Sequence, residues 1–246
     1  MAELKGKKAF VTGGSRGIGA AIVRRLARDH ADVAFTYHER KDAADEVAAD
    51  VKRLGRKTLA IRADSGDPGA LSDAVARAAK EFGQIDIFVS SAGVLVFKPI
   101  DEFTIEDFDR VVAVDLRAAF VGSKAALAYM GEGGRIIFIA SNIADYAALP
   151  TTGFYAMVKS GLDGLCKGMA RDLGPRGITV NTVHPGPIAT DANPEDGQYG
   201  DDLKRFMATP KFGTGDDVAG LVAYLVSSDA SFANGAAYKI DNGFTA

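Results

Sequence analysis

Lys8-Ala9-Phe10-Val11-Thr12-Gly13-Gly14-Ser15-Arg16-Gly17-Ile18-Gly19 opens the chain's first unit of structure and decides how the rest is read. A short apolar run ends at Val11, a glycine-rich turn follows, and Ala20, Ile22, Val23, Leu26 and Ala27 then recur at helical spacing. Strand, turn and helix in that order bring backbone N–H groups and the positive end of a helix to one point, an arrangement that holds a pyrophosphate. The glycines stand as Gly13, three residues, Gly17, one residue, Gly19, not in the G-x-G-x-x-G spacing. Glycine also serves ordinary tight turns, so the position directly after a strand and at the start of a helix is what points to a dinucleotide.

Working outward, the same alternation continues. Asp32 to Tyr37 reads as a strand, Lys41 to Leu54 as a charged amphipathic helix and Thr58 to Arg62 as a third strand. Asp67 followed by Pro68 starts a helix that continues from Leu71 to Phe82. Ile85 to Val89 is an apolar strand, and Thr104 to Met130 reads as one long helix with Phe108, Val111, Val112, Leu116, Ala119, Phe120 and Leu127 on its apolar side. Arg135 to Ala140, Ile178 to Val183 and Ala237 to Ile240 supply further strands. Helices begin at Phe154, ending near Gly174-Pro175, and at Asp216. Between Pro185 and Gly213 the periodicity fails around one short helix near Asp201 to Met207, and the stretch at about 187–213 is read as a lid. Apolar strands alternating with helices predict an α/β fold, a Rossmann-type doubly wound parallel sheet of about seven strands with helices on both faces, in one domain spanning 1–246.

The 246 residues are 47% apolar and 25% charged, ordinary for a globular enzyme. A net charge of −3 and a pI near 5.7 argue against a nucleic-acid partner, which needs an accumulated basic field. The single cysteine, Cys166, lies inside a helical pattern and reads as a small buried filler, not a nucleophile. Met1 to Lys8 lacks the apolar segment of a secretory signal, and no apolar run reaches about 18 residues, so a cytoplasmic location without a membrane partner is expected. No His, Cys and carboxylate spacing suggests a metal.

Tyr155 and Lys159 stand four residues apart on the helix from Phe154 and therefore share a face. A neighbouring ammonium favours phenolate, each pKa unit corresponding to about 1.4 kcal/mol, and so brings the proton within reach of transfer. Tyr-x-x-x-Lys taken alone also describes a solvated helix face, and the remaining motifs supply the context.

The glycine spacing, with Tyr155 and Lys159, resembles the short-chain dehydrogenase/reductase family over nearly the whole chain. The family's Asn-Asn-Ala-Gly after the fourth strand appears as Ser90-Ser91-Ala92-Gly93, its catalytic serine falls on Ser141, and its Pro-Gly after the sixth strand is Pro185-Gly186, with Ile188 and Thr190 beyond. The resemblance implies hydride transfer between a nicotinamide and a carbonyl or alcohol. Tyr155 would be the general acid in reduction, Ser141 would orient the substrate oxygen, and Lys159 would bind the nicotinamide ribose and lower the Tyr155 pKa. It also implies cofactor contacts from Gly13, Ser15, Arg16, Gly17, Ile18 and Gly19, from Tyr37 and His38, and from Ser91, Ala92, Gly93, Pro185, Gly186, Ile188 and Thr190. Asp64 reads either as the adenine-binding aspartate or as a turn residue. NAD-preferring members carry an acid where this chain has Tyr37-His38. Its absence, with Arg16 and Arg40 nearby, favours NADPH; Glu39 argues the other way, and NAD is the alternative.

Asp115 is the main departure, because the family has asparagine there. An amide donates and accepts whereas an ionised carboxylate only accepts, so the family's relay through water to Lys159 is altered. Asp115 is expected to hold the relay water or to pair with Lys159. His184 reads as a structural histidine, with cofactor contact as the other option. The family's pocket mouth corresponds to Val94 to Phe97, Asn142 to Leu149 and Ile188 to Phe212. The acidic Gly131-Glu132-Gly133-Gly134, where carrier-protein reductases are basic, favours a free small ketone or aldehyde. The family's helix packing implies a homotetramer, otherwise a dimer. The run from Gly174 to Pro194 also resembles bacterial cyclic di-GMP-binding biofilm dispersal mediators, which implies as an alternative a cyclic dinucleotide-binding regulator with little or no turnover.

Overall fold

The computed structural model describes residues 3–246. Its centre is β1 (Lys8–Val11), four residues whose side chains alternate between two apolar layers. Ala9 and Val11 enter one core and Phe10 the other. β2 (Asp32–Tyr37) lies on one side, with Val11 opposite Phe35, and β4 (Ile87–Ser90) on the other, with Phe10 opposite Phe88. With β3 (Thr58–Arg62), β5 (Arg135–Ile139), β6 (Thr179–Pro185) and β7 (Ala237–Ile240), the sheet is wholly parallel in the order β3-β2-β1-β4-β5-β6-β7. The chain reverses its direction of travel at β1 and β4, which opens a crevice at their carboxyl ends.

Parallel strands need covered crossovers, and the helices divide between the two faces. α1 (Gly17–Arg28), α2 (Lys41–Arg53) and α8 (Gly215–Leu225) cover the layer holding Val11, Phe35 and Val89. α3 (Pro68–Phe82), α5 (Ala118–Leu127) and α6 (Gly153–Leu173) cover the layer holding Phe10, Phe88 and Phe138. Asp67 caps α3 through the N–H groups of Gly69 and Ala70, as the Asp-Pro start predicts.

The stretch from Thr104 to Met130 is not one continuous α-helix. Thr104 opens α4 (Ile105–Val111) with a reciprocal capping box to Asp107, and the chain then widens into a π-helical turn over Val112–Arg117 before α5. Such wide turns re-aim side chains, and here Ala113, Val114 and Asp115 are all buried, Asp115 being the one that carries a charge. Phe120, expected on the apolar side, is 50% exposed. β6 runs two residues further than its apolar pattern, placing His184 and Pro185 within the sheet. The short helix of the 187–213 stretch is α7 (Gly200–Lys204), and the stretch is stitched by bridges between Ile188 and Gly213 and between Thr190 and Asn193. Among the described residues no helix is long and apolar enough to cross a membrane.

Candidate active site

The crevice begins at the glycine turn. A Cβ on Gly19 would meet the Gly13 carbonyl oxygen at 2.3 Å, and one on Gly13, whose φ is +66°, would meet Ala92 Cα at 2.9 Å. No side chain caps the first turn of α1, so its N–H groups remain open to a ligand. Two threonines hold the walls together. The Thr12 hydroxyl oxygen accepts from the N–H groups of Ser91 and Ala92 at 2.9 and 3.0 Å, and Thr36 Oγ1 accepts from Gly13 N–H at 3.0 Å. The result is a cleft of about 590 Å³ lined by Gly13, Ser15 to Gly19, Thr36 to Arg40, Asp64, Ser91 to Leu95, Asp115, Tyr155, Lys159 and Thr190 to Ala192. Pro185, Gly186 and Ile188 do not line it: Gly186 N–H is bonded to Ile240 O at 3.0 Å, and Ile188 is buried in the core.

At the deep end, α6 presents Tyr155 and Lys159 on one face. Lys159 is 5% exposed and donates to the Ile139 carbonyl at 3.3 Å; its Nζ lies 5.4 Å from the centre of the Tyr155 ring. Asp115, 3% exposed, forms an ion pair with Lys159 Nζ at 3.0 Å and accepts the Val94 N–H at 3.0 Å. The approach is tight enough that a Cβ on Gly93 would meet Asp115 Oδ1 at 2.8 Å. Ser141 caps the short 3-10 turn Asn142–Ala144, its hydroxyl oxygen accepting from Ile143 N–H at 3.3 Å, and stands near enough to Tyr155 to favour the phenolate, while Phe97 packs edge-on against the Tyr155 ring at 5.7 Å.

The electrostatic balance differs from the simple expectation. Lys159 and Ser141 do favour the Tyr155 phenolate, but burial of the phenol is the largest influence and the Asp115 charge adds to it, so the phenol is pushed above its ordinary value. Burial works against the Lys159 ammonium, yet Asp115 and the phenol outweigh it and hold that group above the usual lysine range. The pair is therefore a phenol beside a neutralised ammonium.

At the opposite end, Asp64 is held by both oxygens. Arg110 reaches them at 2.9 and 3.2 Å, and Gly66 N–H donates at 2.8 Å. Burial opposes the charge, but these donors keep the carboxyl below the usual range. Two arginines that line the cleft with Tyr37 and His38 already have partners: Arg16 pairs with Asp191 at 2.9 Å across the mouth of the cleft, and Arg40 with Asp42 at 2.9 Å.

Residues 13–245 match the family model described as enoyl-(acyl carrier protein) reductase. A cyclic-di-GMP-binding biofilm dispersal mediator protein of Escherichia coli is 44% identical over 248 residues, covering 100% of both chains. The chain belongs to the short-chain dehydrogenase/reductase family. A short-chain dehydrogenase of Burkholderia cenocepacia, solved in complex with NADP, is 48% identical, with a TM-score of 0.98 over 99% of this chain and 100% of that one. A blue fluorescent protein from a metagenomic library, solved in complex with NADPH, is 47% identical, also with a TM-score of 0.98, over 99% of this chain and 100% of that one.

In this short-chain dehydrogenase/reductase the fold brings Tyr155, Lys159 and Asp115 together at the deep end of the cleft. Sequence reasoning missed several residues that shape its cleft. Thr12 and Thr36 tie β1 to its neighbours, and their strand-end hydroxyls beside a glycine turn were a usable signal. Arg110 and Asp191 act on Asp64 and Arg16 from distant segments and carry no local signal.

Proposed function

We propose that the protein is an NADPH-dependent carbonyl reductase acting on a small ketone or aldehyde, and reversibly on the alcohol. The observation that carries this reading is that Tyr155 and Lys159 line the deep end of a cleft that begins at an open helix N-terminus, with Ser141 beside Tyr155. The glycine turn fits a dinucleotide, since it leaves backbone where a Cβ at Gly13 or Gly19 would intrude. The turn would hold the pyrophosphate, Asp64 the adenine end, and Tyr155 and Lys159 the nicotinamide ribose. When bound, the nicotinamide supplies hydride to the carbonyl carbon. Charge then develops on the carbonyl oxygen, where the Tyr155 O–H gives up its proton and Ser141 donates a hydrogen bond. The Lys159 ammonium stabilises the tyrosinate left behind, and Asp115 tempers that effect. Arg16 and Arg40 at the mouth, with no acid at Tyr37 or His38, support NADPH over NADH, as do the relatives solved with NADP and NADPH.

Residues 187–213 act as the lid in this reading, and 1–246 as one working domain. A homotetramer is supported by apolar side chains left exposed on two helices, Phe120 of α5 and Met157 of α6, and light scattering in solution tests it. A second reading, a cyclic dinucleotide-binding regulator, is supported by the full-length similarity to the dispersal mediator. One experiment separates the two: NADPH oxidation against ketones, aldehydes and acetoacetyl thioesters, repeated with Tyr155→Phe, beside calorimetry with cyclic di-GMP. Turnover abolished by Tyr155→Phe supports the reductase. Cyclic di-GMP binding without turnover on any carbonyl compound overturns it.

A further inference from the structure

Outside the cleft lining lies a second cluster of ionisable groups that hydride transfer does not use. His184, in β6, is wholly buried. Its Nε2 stands 2.9 Å from Asp163 Oδ1, which also accepts the Thr182 hydroxyl at 2.7 Å. On the other side of the ring, Nδ1 is buried without a hydrogen bond and faces Asp145 Oδ2 at 3.4 Å. Lys239 of β7 reaches that same carboxylate oxygen at 3.1 Å.

The two carboxylates come from the two elements that carry the reacting groups. Asp163 follows Lys159 by four residues on α6, so Tyr155, Lys159 and Asp163 occupy one face of that helix. Asp145 ends the short 3-10 turn Asn142–Ala144, whose first cap is Ser141. One imidazole, carried by a strand that holds neither reacting group, thus bridges the serine turn and the tyrosine helix. The three segments have no covalent reason to keep their spacing, and two donors serve one oxygen only when both are held in place.

We infer that His184 is a positioning residue that, through Asp163 and Asp145, fixes the spacing between Ser141 and the Tyr155–Lys159 pair. The inference rests on carbonyl reduction as the activity. Lys239 braces the bridge from the far side by holding Asp145 toward the ring. The cofactor cleft is not part of the bridge, since none of His184, Asp145 and Asp163 lines it. Loss of the bridge therefore frees the short Ser141 turn and acts on the chemical step, while Tyr155 and Lys159 remain held on α6 and keep their place against the nicotinamide ribose.

The test measures kcat, KM and NADPH affinity in Asp145→Ala, Asp145→Asn and His184→Gln. Asp145 is 40% exposed, so its variants fold even if removal of the buried imidazole does not allow folding. In Asp145→Ala and His184→Gln, kcat is expected to fall about tenfold or more while NADPH affinity stays within about twofold of wild type. Asp145→Asn, whose side-chain amide can meet Nδ1 either as donor or as acceptor, is expected to recover most of the loss. Wild-type kcat in Asp145→Ala, or a matching fall in NADPH affinity, overturns the inference. If the wild-type protein reduces no carbonyl compound, it is the reductase reading that has failed, and backbone amide exchange then decides the bridge. Exchange over residues 142–146 is expected to quicken about tenfold in Asp145→Ala, and unchanged exchange overturns it.

Discussion

Lys159 Nζ lies 3.0 Å from Asp115 Oδ1, and both groups are sealed from solvent. The carboxylate offsets part of the ammonium's pull on the Tyr155 phenol, and burial does the rest, so Tyr155 stays protonated through neutral pH. In the proposed reductase the phenol is the form that protonates the carbonyl oxygen, and the phenolate is the base that takes the alcohol's proton in the reverse direction. With its value pushed above the ordinary tyrosine range of about 10, reduction holds through neutral pH and is lost only as pH rises through the Tyr155 value. Oxidation gains over the same alkaline window. Asp115→Asn removes the opposing charge and should move both limbs to lower pH, visible in kcat–pH profiles measured in each direction. Superimposable profiles for the two proteins would sink the idea.

The same pair bears on stability. Asp115→Ala leaves a buried ammonium without its carboxylate and strands the Val94 N–H, a loss of about 3–5 kcal/mol by denaturant unfolding at neutral pH. Asp115→Asn keeps an oxygen for that N–H and should lose less. Because the Lys159 value is raised on folding, the stability it lends is complete below the free-lysine value of about 10.4 and fades as pH rises through the folded value. The gap between wild type and Asp115→Ala should therefore narrow in strong alkali.

Arg16 reaches the cleft mouth already paired with Asp191, and both side chains are about half exposed. An exposed pair is weak, so a cofactor 2′-phosphate can compete for the guanidinium. Asp191→Asn should tighten NADPH severalfold and leave NADH unchanged. Arg16→Ala should weaken NADPH by about tenfold. Equal effects on the two cofactors, read by fluorescence titration, would remove Arg16 from phosphate recognition.

Gly19→Ala would drive a methyl to 2.3 Å from the Gly13 carbonyl oxygen, inside the turn itself. The expected result is loss of dinucleotide binding together with a lowered thermal midpoint. Calorimetry showing wild-type affinity would mean that the turn can open without harm.

Cys166 is buried against the Val180 carbonyl, and burial pushes its thiol up to about 12. Iodoacetamide at pH 8 should leave it unmodified in the folded protein and label it completely in denaturant. Rapid labelling of the native protein, followed by mass spectrometry, would show that α6 opens.

What could be read from the chain alone was whatever local spacing encodes. The strand, glycine turn and helix at Lys8 to Arg28 are contiguous, so one stretch carries both the fold class and the proposed pyrophosphate site. Tyr155 and Lys159 share a face because four residues make about one helical turn. Side-chain period likewise separates Phe10 from Val11 into opposite cores. The π-helical turn at Val112–Arg117 escaped because an apolar pattern tolerates one widened turn without changing its composition. The partners of the charged groups were decided only by the tertiary structure. Parallel strands joined by crossovers bring Asp191 to Arg16 across 175 residues, and Asp115 to Lys159. The same crossovers set His184 between Asp145 and Asp163. Electrostatic partnership depends on distance in space and on burial, and neither has a period along the chain.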